Sequence, residues 1–385
     1  MIRVLHFAGI INRHDFIDTI LAHLDRSRFE IAALTAIPPR RVEPHDPSES
    51  YETRCLNVPL SRATYPTLFR ELVREIRRFE PHIVHAHHYD EGLLASVAVR
   101  LLRSPALVLG HHYSDHIYYL SRGLRRRAHL SIEAFTNRAA ARIVVPAQEV
   151  YKILVDRQGE PANKVEVIPY GLPFDRYRPS SAEAPARLRR ELGLEHKWMV
   201  LACCRLNREK GLEYLLRAMP SVRAKHPEAA LVMVGDGSYA EPLKALARQL
   251  GLESAVSFVG WRADALDWIA AADVVVQPSL CESYCQVLVE ALAFCKPVVM
   301  TPVGAGPEII GDNERGRLVP LANAEAIADA LIELADDRPL GLQLGVAGHA
   351  FIREHMPVDA IVRRHEDLYE RVVNESLGGA LRATA

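Results

Sequence analysis

The stretch Gln277-Pro-Ser-Leu-Cys-Glu282-Ser-Tyr-Cys-Gln286-Val-Leu-Val-Glu290-Ala-Leu-Ala-Phe-Cys295-Lys-Pro297-Val-Val-Met300-Thr-Pro-Val-Gly304-Ala-Gly306-Pro-Glu308 reads as strand end, loop, helix, strand, loop. Ser283 followed by Gln286 fits a capping box. That predicts a helix beginning at Ser283 and presenting the amides of Tyr284, Cys285 and Gln286 at its positive end, which is an anion site. Val287, Leu288, Val289, Ala291, Leu292 and Ala293 make the helix apolar nearly all round, hence buried. Glu290 inside it then needs a partner. Glu282 and Glu290 stand about 12 Å apart at 1.5 Å per residue. This exceeds the roughly 5–9.5 Å of a glycosidase carboxylate pair, so the two acids suit opposite ends of one extended ligand.

The same alternation runs outward in both directions. Strands are expected near Ile2–Phe7, Ile31–Leu34, Ile83–His87, Ala106–Leu109, Ile143–Pro146 and Val165–Ile168, with helices such as Thr67–Phe79 and Glu91–Leu102 between them. The second half repeats the style near Met199–Cys203, Ala230–Val234, Val256–Val259, Val274–Gln277 and Pro297–Met300. Such alternation indicates an α/β protein with parallel sheets. Between the halves, Tyr170 to Pro185 is rich in Pro, Gly and Ser, as an exposed connection would be. With 385 residues the chain exceeds what one core supports, so two Rossmann-like domains are expected, residues 1–172 and 186–356.

Composition removes other classes. Apolar residues make up 49% and charged residues 25%, which excludes collagen-like, coiled-coil and disordered chains. Lys and Arg number 47 against 48 Asp and Glu, so no whole-chain basic field points to nucleic acid. No apolar run approaches the roughly 18 residues of a membrane span. Val4–Ile11 reads as a first strand rather than a leader, and six scattered cysteines without a C-x-x-C pair fit a reducing cytoplasm.

Ligands of open α/β sheets bind beyond the carboxyl ends of the strands. No G-x-G-x-x-G follows the first strand and no P-loop occurs, so dinucleotide and P-loop chemistry find little support. No D-x-D triplet is present to hold a divalent ion against a diphosphate. Arg205 and Lys210, after the second domain's first strand, are the cations expected in its place, one bidentate and one a point charge.

Taken together, several blocks resemble the retaining GT-B glycosyltransferases of the family-four group, also called glycosyl transferases group 1. They are Glu282-x7-Glu290, Arg205 with Glu209-Lys210-Gly211, Val234-Gly-Asp-Gly237, Val256-Ser-Phe-Val-Gly-Trp261, Gln277-Pro-Ser, and Lys164-Val-Glu-Val-Ile-Pro-Tyr-Gly171. The resemblance covers nearly all of the chain and implies two Rossmann-like domains facing each other across a cleft. The first would take the acceptor, with a helix near 359–378 returning to it, and the second a nucleotide diphosphate-sugar. By that resemblance Glu290 holds the ribose, Glu282 a sugar hydroxyl, Arg205 and Lys210 the diphosphate, Trp261 and Arg262 lie beside the base, and Glu308 lies near the donor pocket. Ser283, Tyr284, Cys285 and Gln286 complete the donor set. The catalytic set is His111, Glu282, Arg205 and Lys210.

The first domain supplies the rest. Pro105-Ala-Leu-Val-Leu-Gly-His111 resembles the family strand that brings a histidine beside the transferred sugar, with His112 as the alternative and Gly9 and Asn12 in the first loop on the acceptor side. The sequence departs from the family in carrying Cys285 and Cys295 where glycine is usual, and in lacking a Gly-Gly pair after the first strand. His85-Ala-His87 on a strand would point both rings to one side, yet Asp90 falls one residue late for a metallo-hydrolase run and Glu91 stands in place of its last histidine. No metal and no cofactor are therefore expected, and the histidines read as the polar lining of a cleft.

The implied activity is metal-independent transfer of a hexose with retention, in synthesis of a cell-envelope polysaccharide, glycolipid or related glycoconjugate. The rivals are a GT-B sugar-nucleotide epimerase and a non-catalytic sugar-nucleotide-binding subunit. The acceptor side adds one feature. In Arg122–Arg142, six arginines face the single acid Glu133. Arg122, Arg125, Arg126 and His129 fall together at helical spacing, opposite Leu124, Ala128, Ile132 and Phe135. Such a helix packs its apolar stripe on its own domain or rests on anionic lipid, at the inner face of a membrane, beside a glycan or lipid-linked acceptor.

Overall fold

The computed structural model describes residues 1–11, 16–38, 51–112 and 123–383, with side chains through Ser376. The chain divides into two compact units, Met1–Leu172 with Met356–Ala385, and Pro173–His355.

In the first unit, β1 (Ile2–Ala8), β2 (Phe29–Thr35), β3 (Glu52–Cys55), β4 (Ile83–His87), β5 (Ala106–Gly110), β6 (Arg142–Val145) and β7 (Val165–Val167) form one sheet. Its order is β3-β2-β1-β4-β5-β6-β7, and every pairing is parallel. Successive side chains of a strand point to opposite faces, so both faces must be covered. Leu5 and Phe7 enter one core, with Leu68 and Leu72 of the helix Tyr65–Phe79. Val4 and Ala8 enter the other, with Ile361, Leu368 and Tyr369 of the helix Val358–Ala383. Burying each such Leu or Phe contributes about 1.5–3 kcal/mol. The last helix is also anchored by Glu366, whose carboxylate accepts from the Asp25 amide at 2.8 Å and from Arg28 at 2.9 Å.

In the second unit, β8 (Trp198–Cys203), β9 (Ala229–Val234), β10 (Val256–Gly260), β11 (Val274–Gln277), β12 (Val298–Met300) and β13 (Arg317–Leu318) form a second parallel sheet, ordered β10-β9-β8-β11-β12-β13. The strand order reverses between β1 and β4 in the first sheet and between β8 and β11 in the second. Those switch points open a crevice at the carboxyl ends.

The expected strands form, and two others were not foreseen. β3 is a polar edge strand, E-T-R-C, held down by Arg54, which donates to Glu75 at 2.9 Å and to Glu71 at 2.8 Å. β13 spans two residues. Short or charged edge strands carry little apolar alternation to read. The basic helix also differs from expectation. Gly123–Ala139 turns Glu133, Thr136 and Asn137 inward, while Leu124 is 82% exposed, Phe135 40% and Ile132 37%. The buried stripe is polar because Glu133 reaches His111, Nε2 to Oε1 2.7 Å.

Candidate functional site

In the second unit the chain leaves β8 through Cys203 and Cys204 into the segment Arg205 to Gly211. The turn Arg208–Lys210 ends at Gly211, φ 61°, and the helix Leu212–Lys225 begins. A β-carbon at Gly211 would stand 2.1 Å from the Pro278 carbonyl oxygen, so glycine is required by both conformation and contact. That close approach joins the loops after β8 and β11, and the Leu280 amide donates to the Glu209 carbonyl at 2.8 Å. A third loop is tied in by the Ala305 amide, 3.0 Å from the Tyr284 carbonyl, and by Thr301, whose hydroxyl donates to the Ser279 carbonyl.

These loops bring Lys210 and Glu282 together, Nζ to Oε1 2.6 Å, and the Ser279 hydroxyl donates to the same oxygen at 2.8 Å. Burial alone would depress the Lys210 ammonium, but the Glu282 carboxylate beside it more than offsets this and the net shift is upward. Arg205, at the same strand end, is exposed and forms no salt bridge among the described residues. Cys204 and Cys285 lie in the field of the Lys210–Glu282 pair, and burial pushes both thiols up, so neither is ionised near neutrality.

The capping expectation is corrected. The helix after β11 is Gln286–Ala293, its N-cap is Cys285 at φ 78°, and no side chain among the described residues caps it. A residue in the left-handed region cannot continue a helix, so Ser283 lies before the helix rather than at its cap. The first helical amides are those of Gln286 and Val287, not of Tyr284 and Cys285. Tyr284 is buried and Ser283 partly so. Cys285 and Cys295, at φ 78° and 54°, both adopt the left-handed conformation that glycine normally supplies.

Glu290 lies on the same helix. Burial pushes its carboxyl up to about 7, a Gln286 hydrogen bond pulling the other way. It faces Cys203 at the end of β8 and Tyr177, whose hydroxyl accepts from Gln286 at 3.3 Å. Farther along the carboxyl edge, Trp261 is 61% exposed after β10. Arg262 is held in a fork by Asp264, at 2.8 and 2.7 Å. Glu308 is exposed on the short helix Gly306–Ile310. Lys210, Glu282, Ser279 and Glu290 thus gather around the β8–β11 switch point, while Trp261 and Arg262 sit two strands away, roughly 10 Å at about 4.8 Å per strand. Ser279 and Tyr177 were not singled out from the sequence, though Ser279 lies in the quoted Gln277-Pro-Ser.

The first unit gathers its own group at the β1–β4 switch point. His111 follows β5 and bonds Glu133, which also accepts from Gln158 at 3.1 Å. His112 bonds His87 at 3.1 Å and the Tyr170 hydroxyl at 3.1 Å. Phe16 stacks on Tyr170, centroids 4.2 Å apart. Gly9 follows β1, where a β-carbon would lie 2.7 Å from Oε1 of Glu91. Burial lifts the Glu91 carboxyl to about 8, the Gly9 amide acting against this. Asn12 lies outside the described residues. The expectation of a histidine-lined cleft is corrected as well. His85 and His87 are fully buried, His85 against Tyr369 of the helix Val358–Ala383, together with His6 of β1, whose part the sequence alone did not suggest.

Family models agree with this architecture. The model described as Glycosyl transferases group 1 matches residues 186–350, and the model described as Glycosyltransferase Family 4 matches residues 16–176. A GDP-mannose-dependent alpha-(1-6)-phosphatidylinositol monomannoside mannosyltransferase of Mycobacterium tuberculosis is 34% identical over 216 residues, 54% of this chain and 56% of that protein. The sulfoquinovosyl transferase SQD2 of Arabidopsis thaliana is 30% identical over 281 residues, 72% of this chain and 53% of that protein. The chain therefore spans about half the length of these curated relatives. Among solved structures, Anabaena HepE in complex with UDP and glucose superposes with a TM-score of 0.81 at 20% identity, covering 96% of this chain and 100% of that one. Sucrose-phosphate synthase from Thermosynechococcus elongatus gives 0.82 at 20% identity, covering 97% and 100%. With one model on each unit and the GT-B fold in common, the chain belongs to the family-four group of glycosyltransferases, the glycosyl transferases group 1.

Proposed function

We propose that this chain transfers a hexose from a nucleotide diphosphate-sugar to an acceptor hydroxyl, with retention of anomeric configuration and without a metal at the diphosphate. The observation that carries the reading is the convergence of Lys210, Glu282 and Ser279 at the carboxyl edge of the second sheet, beside the first amides of a helix. As the glycosidic C–O bond breaks, negative charge grows on the diphosphate. Lys210, the exposed Arg205 and the helix end are fixed positive groups for that charge. Glu282 holds the Lys210 ammonium in place and keeps its other oxygen for a sugar hydroxyl. Glu290 is the ribose ligand, its burial kept tolerable by a hydroxyl donor when the nucleotide arrives. In the first unit, His111 hydrogen-bonds the transferred sugar, with Glu133 fixing its ring orientation. The relatives' names, one GDP-mannose-dependent and one structure with UDP and glucose, support a nucleotide diphosphate-sugar as the donor class.

The acceptor reading rests on the helix Gly123–Ala139. Leu124, Ile132 and Phe135 are exposed on this helix beside the exposed Arg125 and Arg127, Leu101 is 64% exposed on the helix Tyr89–Leu102, and the Arg100 guanidinium lies 4.0 Å over the Phe135 ring. Exposed apolar surface bordered by cations suits an anionic membrane carrying a lipid-linked acceptor. No described helix is long and apolar enough to cross a membrane. The proposed place of action is the cytoplasmic face of a membrane, in glycolipid or cell-envelope glycan synthesis, a reading that rests on the basic and apolar surface of this helix. The test is a donor panel of uridine, guanosine and adenosine diphosphate sugars offered with lipid and glycan acceptors. One donor giving a product of retained configuration supports the reading, and an inverted product refutes retention.

A further inference from the structure

A group of buried histidines in the first unit is not used by the transfer reading. His6 lies opposite His85 in the β1–β4 register, and His87 follows two residues later on the same face. The three rings therefore project side by side, His6 and His85 against Tyr369 of the helix Val358–Ala383 and His87 against Phe16 and His112, and all three are 0% exposed. One ring nitrogen from each lies within 4.8 Å of the other two.

The hydrogen bonds divide the nitrogens into an outer and an inner set. On the outside, His85 Nδ1 is 2.7 Å from the Tyr369 hydroxyl, His6 Nε2 is 3.4 Å from the same hydroxyl, and His87 Nδ1 is 3.1 Å from His112 Nε2. That leaves His85 Nε2, His6 Nδ1 and His87 Nε2. Two of these share one proton across 3.0 Å. The third, His85 Nε2, is buried with no partner among the described residues. Three lone-pair nitrogens and one shared proton always leave one nitrogen unsatisfied, which is costly in a dry core.

We propose that His6 Nδ1, His85 Nε2 and His87 Nε2 are the ligands of one structural zinc ion, distinct from the donor site. One dication satisfies all three inner nitrogens at once. The chemistry balances by tautomer choice alone: each neutral ring carries its N–H outward, on His85 Nδ1, His6 Nε2 and His87 Nδ1, and turns a lone pair inward. Those outer N–H groups then donate to Tyr369 and His112, the arrangement that orients metal-bound imidazoles. Tetrahedral zinc with Zn–N of about 2.0–2.1 Å places ligand nitrogens about 3.3 Å apart, within reach of the present spacing by small ring rotations. A water from solvent takes the fourth position; its ionisation would offset part of the charge and release one proton to bulk solvent. Three nitrogens, with no carboxylate in the cluster among the described residues, select zinc or its borderline neighbours over magnesium and calcium. The ion would clamp β1 to β4 and, through Tyr369, seat the last helix.

The test is metal content, independent of any transfer activity. Full-length protein without a polyhistidine tag, expressed in zinc- or cobalt-supplemented medium and desalted, should hold about one metal ion per chain. The cobalt form should show the visible bands of a low-symmetry site. Tyr369→Phe keeps the ring and removes the outer acceptor, and should weaken metal retention roughly 10–100-fold against a competing chelator. His85→Ala should abolish it. Wild-type protein holding less than about a tenth of an equivalent would overturn the proposal and leave the cluster a hydrogen-bonded core network. Metal that survives His85→Ala undiminished would overturn it equally.

Discussion

Lys210 and Glu282, 72 residues apart in sequence, meet with Nζ 2.6 Å from Oε1, each side chain 13% exposed. The contact exists because Gly211 lets the loop after β8 touch the backbone of Pro278. In the proposed reaction this pair is the hinge of the chemistry, one partner facing the diphosphate and the other the sugar.

Removing the ammonium therefore does two things. Lys210→Ala deletes a charged hydrogen bond worth about 1.5–3 kcal/mol and leaves Glu282 partly buried beside Ser279. We predict a roughly ten- to hundredfold fall in kcat/KM with the fold retained. Steady-state kinetics and circular dichroism check it, and unchanged kinetics would remove Lys210 from the site.

Glu290 gives a pH signature. Its carboxyl is raised from 4.5 to about 7 by burial, so the folded protein binds more protons than the unfolded chain between those values. The ionised form is the destabilised one, and stability lost to this group grows as pH rises through that window. Glu290→Gln should thus gain stability relative to wild type as pH increases from about 4.5 to about 7. Donor binding should show the opposite trend, strengthening in wild type as the carboxylate forms and staying flat in Glu290→Gln. Parallel denaturant melts and donor titrations across pH measure both.

Cys295 occupies a left-handed position at φ 54°. For a residue with a β-carbon this costs about 1–2 kcal/mol, whereas glycine adopts it freely at an entropic cost of roughly 0.5–1 kcal/mol. Cys295→Gly should raise stability by about 0.5–1 kcal/mol, read as a higher melting temperature. A lower melting temperature would show that packing of the thiol outweighs the backbone term.

Much of this was legible beforehand. The β-rich runs before Cys203 and before Gln277 fixed the two strand ends that hold the site, and Glu282-x7-Glu290 was readable in a single segment. What escaped was set by tertiary pairing. The His6–His85 register depends on β1 lying beside β4, which no local pattern encodes. Ser283 looked like a cap because spacing cannot reveal the φ of Cys285. The helix Gly123–Ala139 turned its polar side inward because one partner, His111, outweighed its apolar periodicity.

That inverted helix leads to a surface prediction. Leu124, 82% exposed beside Arg125 and Arg127, should bring the protein to anionic but not neutral liposomes at low salt. Electrostatic attraction fades once the Debye length falls to about 8 Å or below, so binding should weaken with salt. Arg125→Glu with Arg127→Glu should reduce co-sedimentation, and Leu124→Ser should weaken what remains at high salt. Equal binding to neutral and anionic vesicles would contradict this account.

The most direct test of the central claim is calorimetric titration of nucleotide diphosphate-sugars into wild-type protein and Glu290→Ala. The account predicts saturable binding of one donor to wild type without added metal, weakened at least about tenfold in the variant, as loss of a hydrogen bond to a charged group implies. Absence of binding for every donor tested, or equal affinity in the two proteins, would contradict it.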